Sequence, residues 1–184
     1  MAIKRMKIEG YGQVELNNVA FRRDGRIEAQ CFLSEADFAE KPAENGMILA
    51  IDRLNREVII PEEGSLLPLA LHYSTEHMYD ERLSGLKNFK LERGTFLPRM
   101  GLLAIGDKWT TNCICYDDSE FTDDKALIEA LEGIKDAPIY GGIDAEGGAV
   151  KLTARVPEGL VIKVVEYTTM PDGQPGVMLQ VLKV

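Results

Sequence analysis

Apolar and polar positions alternate in short runs separated by turn residues, a pattern that predicts many strands and few helices. A strand is expected over 10–19, followed by a turn at Arg23-Asp-Gly-Arg26 and a partner strand over 27–33. Asp24 and Gly25 suit that turn because both tolerate positive φ. Ser34 is placed to cap one short helical turn over 34–40, which Pro42 ends. Residues 47–51 and 57–60 predict another hairpin, joined through 52–56. Residues 66–73 form a candidate strand that Pro68 restricts to an edge or to a late start. Over 109–116 the alternation puts Trp109, Thr111, Cys113 and Cys115 on one face, and Thr110, Asn112, Ile114 and Tyr116 on the other.

The strongest helical spacing is Ala126, Leu127, Ala130, Leu131 and Ile134, with Thr122 or Asp123 as the cap and Gly133 near the end. Short strands are expected over 138–141 and 150–154, and a closing hairpin over 161–184. That hairpin carries Val177, Leu179 and Val181 on one face and Met178, Leu182 and Val184 on the other. Apolar residues on both faces predict burial between layers, in a small barrel, or against another subunit. The turn Pro171-Asp-Gly-Gln-Pro-Gly176 is backbone chemistry and offers nothing to a small molecule. The expected fold is mainly β (α+β), with small antiparallel β-barrel or sandwich elements and one or two short helices. Residues 1–75 form a β-rich region and 94–184 an α+β region ending in the hairpin. The polar stretch 76–93 between them has the length of a docking loop or linker. The same pattern also fits one continuous domain.

Composition narrows the function classes. With 45% hydrophobic and 28% charged residues, the chain of 184 residues is globular and long enough to fold without a staple. A net charge of −9 disfavours nucleic acid as a partner. Basic residues gather at Lys4, Arg5 and Lys7 and at Arg22, Arg23 and Arg26, as a solvated strand face and turn or as a contact for an acidic partner. Three cysteines behind a start that lacks an apolar leader predict a reducing cytoplasm and no disulfide framework. The longest apolar run, 66–71, contains Pro68 and is too short to span a bilayer, so no membrane partner is expected.

Candidate chemistry adds little. His72, Glu76 and His77 follow neither zinc-hydrolase spacing, and imidazoles five residues apart diverge on a helix or a strand. Cys113 and Cys115, with a distant Cys31, predict core thiols beside Trp109 and not a zinc knuckle. Asp117, Asp118, Glu120, Asp123 and Asp124 fit a helix cap and a solvated turn, and no spacing selects a carboxylate pair for acid–base work. The glycines form no phosphate-binding loop. No catalytic residue, cofactor or metal is expected, and an enzyme is not the expected class.

Three segments carry a resemblance: Gly85-Leu-Lys-Asn-Phe-Lys-Leu-Glu-Arg-Gly94, Gly106-Asp-Lys-Trp-Thr-Thr-Asn112 and Tyr167-Thr-Thr-Met-Pro-Asp-Gly-Gln-Pro-Gly-Val177. Together they resemble small virion structural proteins of tailed bacteriophages, most closely head decoration (capsid cement) proteins. The likeness covers residues 75–184. It implies a β-rich homo-oligomer, often a trimer, that binds the major capsid protein on the capsid exterior and stabilises the shell after synthesis in the host bacterial cytoplasm. Residues 1–8 and 76–93 then become candidate capsid contacts, with Lys4, Arg5, Lys7, Lys87 and Phe89 as their contact residues. Val177, Leu179, Val181 and Leu182 become candidate subunit contacts. Tail-tube and head–tail completion proteins share the same general properties.

Overall fold

A computed structural model of the chain describes residues 2–20, 26–74 and 85–184. The expected turn at Asp24–Gly25, together with Arg22, Arg23, Glu76 and His77, lies outside the described residues. Among the described residues the fold is mainly β, with two sheets and two α-helices.

The first sheet has the order β1 (Ile3–Arg5), β10 (Ile114–Asp117), β12 (Val150–Thr153), β11 (Tyr140–Ile143), β13 (Val161–Thr169), β14 (Pro175–Lys183), β9 (Lys108–Thr111), β2 (Val14–Ala20). The second has the order β3 (Ile27–Glu28), β8 (Met100–Leu102), β7 (Leu69–His72), β5 (Ile48–Asp52), β6 (Glu57–Ile59), β4 (Phe32–Leu33). Helix α1 (Glu35–Phe38) follows β4, and α2 (Asp124–Glu132) follows β10.

Chain connectivity shows that both sheets are rolled. Five strand spacings, about 24 Å if flat, separate β10 from β9 and β3 from β4. Only Asn112 and Cys113 join β9 to β10, a reach of about 10 Å, and the link from Glu28 to Phe32 reaches about 14 Å. Each sheet must therefore curl until its far strands approach. Its concave side gathers side chains from nearly every strand. In the first sheet these are Val14, Trp109, Ile114, Val150, Ile162, Leu179 and their neighbours, closed by Leu127 and Leu131 of α2. In the second they are Leu33, Leu49, Ile51, Val58, Ala70 and Met100, with Phe38 of α1.

Local chemistry explains the element ends. The Ser34 Oγ accepts from the Asp37 N–H at 3.3 Å, and the Asp123 carboxylate accepts from the Ala126 N–H at 2.8 Å, so both expected caps form. The β5–β6 hairpin forms as expected, with Ala50 opposite Ile59. Its turn is held by Asp52 Oδ1, which accepts from the N–H groups of Leu54 and Asn55 at 2.9 and 3.1 Å. Strand β7 begins after Pro68 and lies between β5 and β8, so Pro68 sets a late start and not an edge.

Several expectations change. The strands over 10–19 and 27–33 are not partners, because β2 joins the first sheet while β3 and β4 join the second. Pairing also crosses the expected boundaries at 75 and 94: β1 and β2 pair with β10 and β9, and β3 pairs with β8. The alternation over 109–116 breaks at Asn112 and Cys113, where the Ile114 N–H donates to the Asn112 carbonyl at 2.9 Å. That tight bend exchanges faces. Trp109 and Ile114 share the first cluster, whereas Cys113 and Cys115 enter the second, away from the expected neighbour.

The closing hairpin is buried on one face only. Val177, Leu179 and Val181 are fully buried in this chain's own core, so they are not free to meet a second subunit. Register shifts leave Val165 and Leu182 unpaired, and these bulges turn them outward, 38% and 42% exposed. Of the four candidate subunit contacts, Leu182 alone stands at the surface.

Candidate interaction surface

The N-terminal basic residues sit on or beside an edge strand. The Asp118 N–H donates to the Ala2 carbonyl, and the Met6 N–H to the Ile114 carbonyl. In an antiparallel ladder the hydrogen-bonded positions alternate, so Ala2, Lys4 and Met6 face β10 and the backbone of Ile3 and Arg5 faces outward. The acidic stretch pins this strand. Asp118 Oδ1 accepts from the Ala2 N–H at 3.2 Å, and Asp124 Oδ2 accepts from the Lys7 N–H at 3.0 Å. Lys4 Nζ donates to the Thr122 carbonyl at 3.3 Å. Glu120 instead accepts from Thr153 and Ala154, and Asp117 from Ser119. The cluster thus acts as a set of caps and ties, in keeping with its expected structural use.

Arg5 points inward. Its guanidinium donates to Glu44 Oε2 at 3.0 Å, and the same oxygen accepts from the Gly12 N–H at 2.6 Å. Gly46 (φ 94°) lies against this junction, where a Cβ would strike Thr111 Oγ1 and Cys113 Cβ. Next to it, His72 is fully buried, with Nδ1 at 2.8 Å from the Glu44 carbonyl and Nε2 at 2.9 Å from Ser74 Oγ. The carbonyl can only accept, which makes Nδ1–H the donor and leaves Nε2 to accept from Ser74. Burial lowers the His72 pKa to about 4. Burial likewise raises the Cys113 thiol to about 12 and also raises Cys115, so neither is a ready nucleophile. Among the described residues no group of metal-ligating side chains is poised to hold an ion.

Lys87 and Phe89 belong to a different construction. A single 3₁₀ turn, Leu86–Asn88, leads into Leu91, which bridges Ala43 and anchors the segment on the second cluster. The Tyr11 N–H donates to the Lys87 carbonyl at 2.7 Å, and Lys87 Nζ meets Glu9 Oε1 at 2.7 Å. Glu9 in turn grips the hairpin turn: its N–H donates to Gln174 Oε1 at 2.6 Å, and its carbonyl accepts from Gln174 Nε2 at 3.2 Å. Gln13 Nε2 adds a bond to Asp172 at 3.0 Å. Phe89 stacks at a tilt on Phe96, 6.3 Å between ring centroids, and Lys90 lies 5.8 Å from the Tyr11 ring centroid. Phe96 is 44% exposed.

Lys87 and Phe89 are therefore brought together, with Tyr11, Lys90 and Phe96 beside them. Lys4, Arg5 and Lys7 lie on a separate edge. Arg26, the described member of the other basic group, forms an ion pair with Asp107 at 2.7 Å. Sequence reasoning missed Glu9, Tyr11 and Gln174. Gln174 lay in a stretch already marked as a turn, but its partner is 165 residues away, and no local pattern reports that contact.

A partly exposed aromatic surface edged by the Lys87–Glu9 and Lys90–Glu92 ion pairs, built by three chain segments tied through side chains, has the chemistry of a protein contact: large rigid rings and long amphipathic stems. No family model, curated protein or solved structure matches the chain.

Proposed function

We propose that the chain is a structural protein of a tailed-phage virion, a decoration protein that binds the assembled capsid shell on its exterior and stabilises it. Its partners are the major capsid protein and further copies of itself, in a homo-oligomer such as a trimer. The resemblance of three segments to that group is the ground for the reading. The observation that carries it is that those segments are neighbours in space. Lys87 of the first reaches Gln174 of the third through Glu9, and Thr110 and Thr111 of the second pair with Met178 and Val177 at the start of β14. The exposed side of that unit is the surface bearing Lys87, Phe89 and Phe96.

Co-sedimentation with expanded empty capsids tests the reading. The full chain should pellet with intact shells, and Phe89→Ala or Lys87→Glu, each compared at a temperature where the variant is folded, should reduce the bound fraction. Failure of the wild-type chain to pellet with intact shells would overturn it. Location along a tail, in six-fold rings and not across the shell, would favour the tail-tube class instead.

A further inference from the structure

The segment that precedes β2 is fastened differently from the rest of the first sheet. Within it, Ile3–Arg5 alone joins a ladder. Outside that ladder, the N–H groups of Ala2, Lys7, Glu9 and Gly12 donate to the side chains of Asp118, Asp124, Gln174 and Glu44, at 3.2, 3.0, 2.6 and 2.6 Å. All four acceptors are partly exposed to solvent, so water can replace the segment at each of them without leaving a buried orphan. Apolar anchoring is slight as well. Met6 is the one buried apolar side chain between residues 2 and 12, with Ile3 and Ile8 partly buried on the two clusters. The β13–β14 hairpin, by contrast, buries Val161, Ile162, Val164, Val177, Leu179 and Val181.

Segments with few buried apolar contacts and solvent-reachable hydrogen bonds open at lower free energy than core strands. Arg5 adds to the imbalance. Its Nε is buried with no partner among the described residues, and its ion pair rests on one Glu44 oxygen. A pair so incompletely satisfied gains little over the cost of its own desolvation. Beneath the segment lie the outer edge of β10 and the Cys113 thiol. Arg5 Nη2 is 3.7 Å from Cys113 Sγ, and a Cβ added at Gly12 would come within 3.0 Å of the same sulfur. The far end is fixed: Gln13 is buried, its N–H donates to Asn112 Oδ1 and its carbonyl accepts from the Thr111 hydroxyl.

We infer that residues 2–12 form a strap that opens as a unit, hinged at Gly12 before the fixed Gln13, while both sheets stay folded, and that it gates access to the β10 edge and to the Cys113 thiol. Opening is a property of the isolated chain and needs no capsid.

The test is hydrogen exchange of the full chain in increasing urea, together with N-ethylmaleimide labelling located by peptide mass. The bonded amides of Met6, Lys7, Glu9 and Gly12 should share one opening constant, roughly a hundredfold above that of the 177–181 amides, with a weaker urea dependence. Burial pushes the closed Cys113 thiol up to about 12 and keeps it unreactive, so its labelling should follow the opening constant and urea dependence of the strap amides. Unequal opening constants among the four strap amides, a strap protected as strongly as 177–181, or Cys113 labelled only when 177–181 opens would each overturn the inference. Met6→Asp, which sets a charge at the apolar anchor, should speed Cys113 labelling at least about tenfold while the 177–181 amides stay protected. Unchanged labelling, or loss of protection in both regions together, would show that the strap does not open on its own.

Discussion

The two apolar clusters share branched aliphatic side chains but differ in sulfur content. The first is built from Val, Leu and Ile around Trp109, drawn from strands far apart in the chain. The second mixes Leu33, Leu49, Ile51, Val58 and Leu91 with Cys31, Cys113, Cys115, Met47 and Met100 around Phe38, with the Glu44–His72–Ser74 chain alongside it. Stiff branched and aromatic side chains leave a hole when one is removed. Sulfur side chains adapt, so the second cluster should tolerate changes of shape and respond instead to changes in charge or hydrogen bonding. The two halves of the molecule should therefore fail in different ways.

Trp109→Ala gives the largest expected effect. The ring is fully buried, so truncation should cost about 3–5 kcal/mol, read as a lower denaturant midpoint. Met47→Leu in the second cluster should cost less than about 1.5 kcal/mol by the same measurement. Similar losses for the two would remove the contrast in packing.

Acid should act through the second cluster. His72 titrates near 4 when folded, below its unfolded value of about 6.5, so the unfolded chain binds more protons between those values. The contribution is fully present above about pH 6.5 and is lost as pH falls toward 4, to a total of about 3 kcal/mol. Across that window wild type should lose stability as pH falls with a slope that His72→Gln lacks, and the two slopes should match above it. A wild-type slope that persists unchanged in the variant would place the titrating group elsewhere. Glu44→Ala should cost about 1–3 kcal/mol, because Arg5 and the Gly12 N–H lose their shared acceptor. Arg5→Lys, which keeps a charge near Glu44 and leaves the Gly12 bond in place, should cost less than Glu44→Ala.

How much of this was legible in the sequence depends on the range of the interaction. Ser34, Asp123, the Asp52 turn and the late start after Pro68 follow from neighbours within a few positions, and these formed as expected. Strands β1 and β8 and the parallel pairing of β10 with β12 depend on partners far along the chain, which alternation does not report. The exchange of faces at Asn112 and Cys113 was hidden for a related reason. Gln13 N–H donates to Asn112 Oδ1, and the Thr111 hydroxyl donates to the Gln13 carbonyl, so the residue that leads into β2, about a hundred positions upstream, holds the bend. The candidate surface divides in the same way: Lys87 and Phe89 lay in a segment marked by its length, whereas Glu9 and Gln174 became visible only once their segments met.

The helix caps give the finest test of the contrast, since each cluster has one. Ser34 is buried and works twice: its Oγ accepts from the Asp37 N–H and donates to the Asp37 carboxylate, which also accepts from the Ile60 N–H at 2.9 Å. Ser34→Ala therefore disturbs a connected set of bonds beside Phe38, and a loss near 2 kcal/mol is expected, the upper end of about 0.5–2 kcal/mol for a cap. Asp123 is exposed and satisfies one N–H, at the start of a helix already held by Leu127 and Leu131. Asp123→Ala should cost about 1 kcal/mol or less, with Asp123→Ser restoring most of it. If Asp123→Ala proves the more damaging, α2 is held mainly by its cap, and apolar packing is not what secures the first cluster at that end.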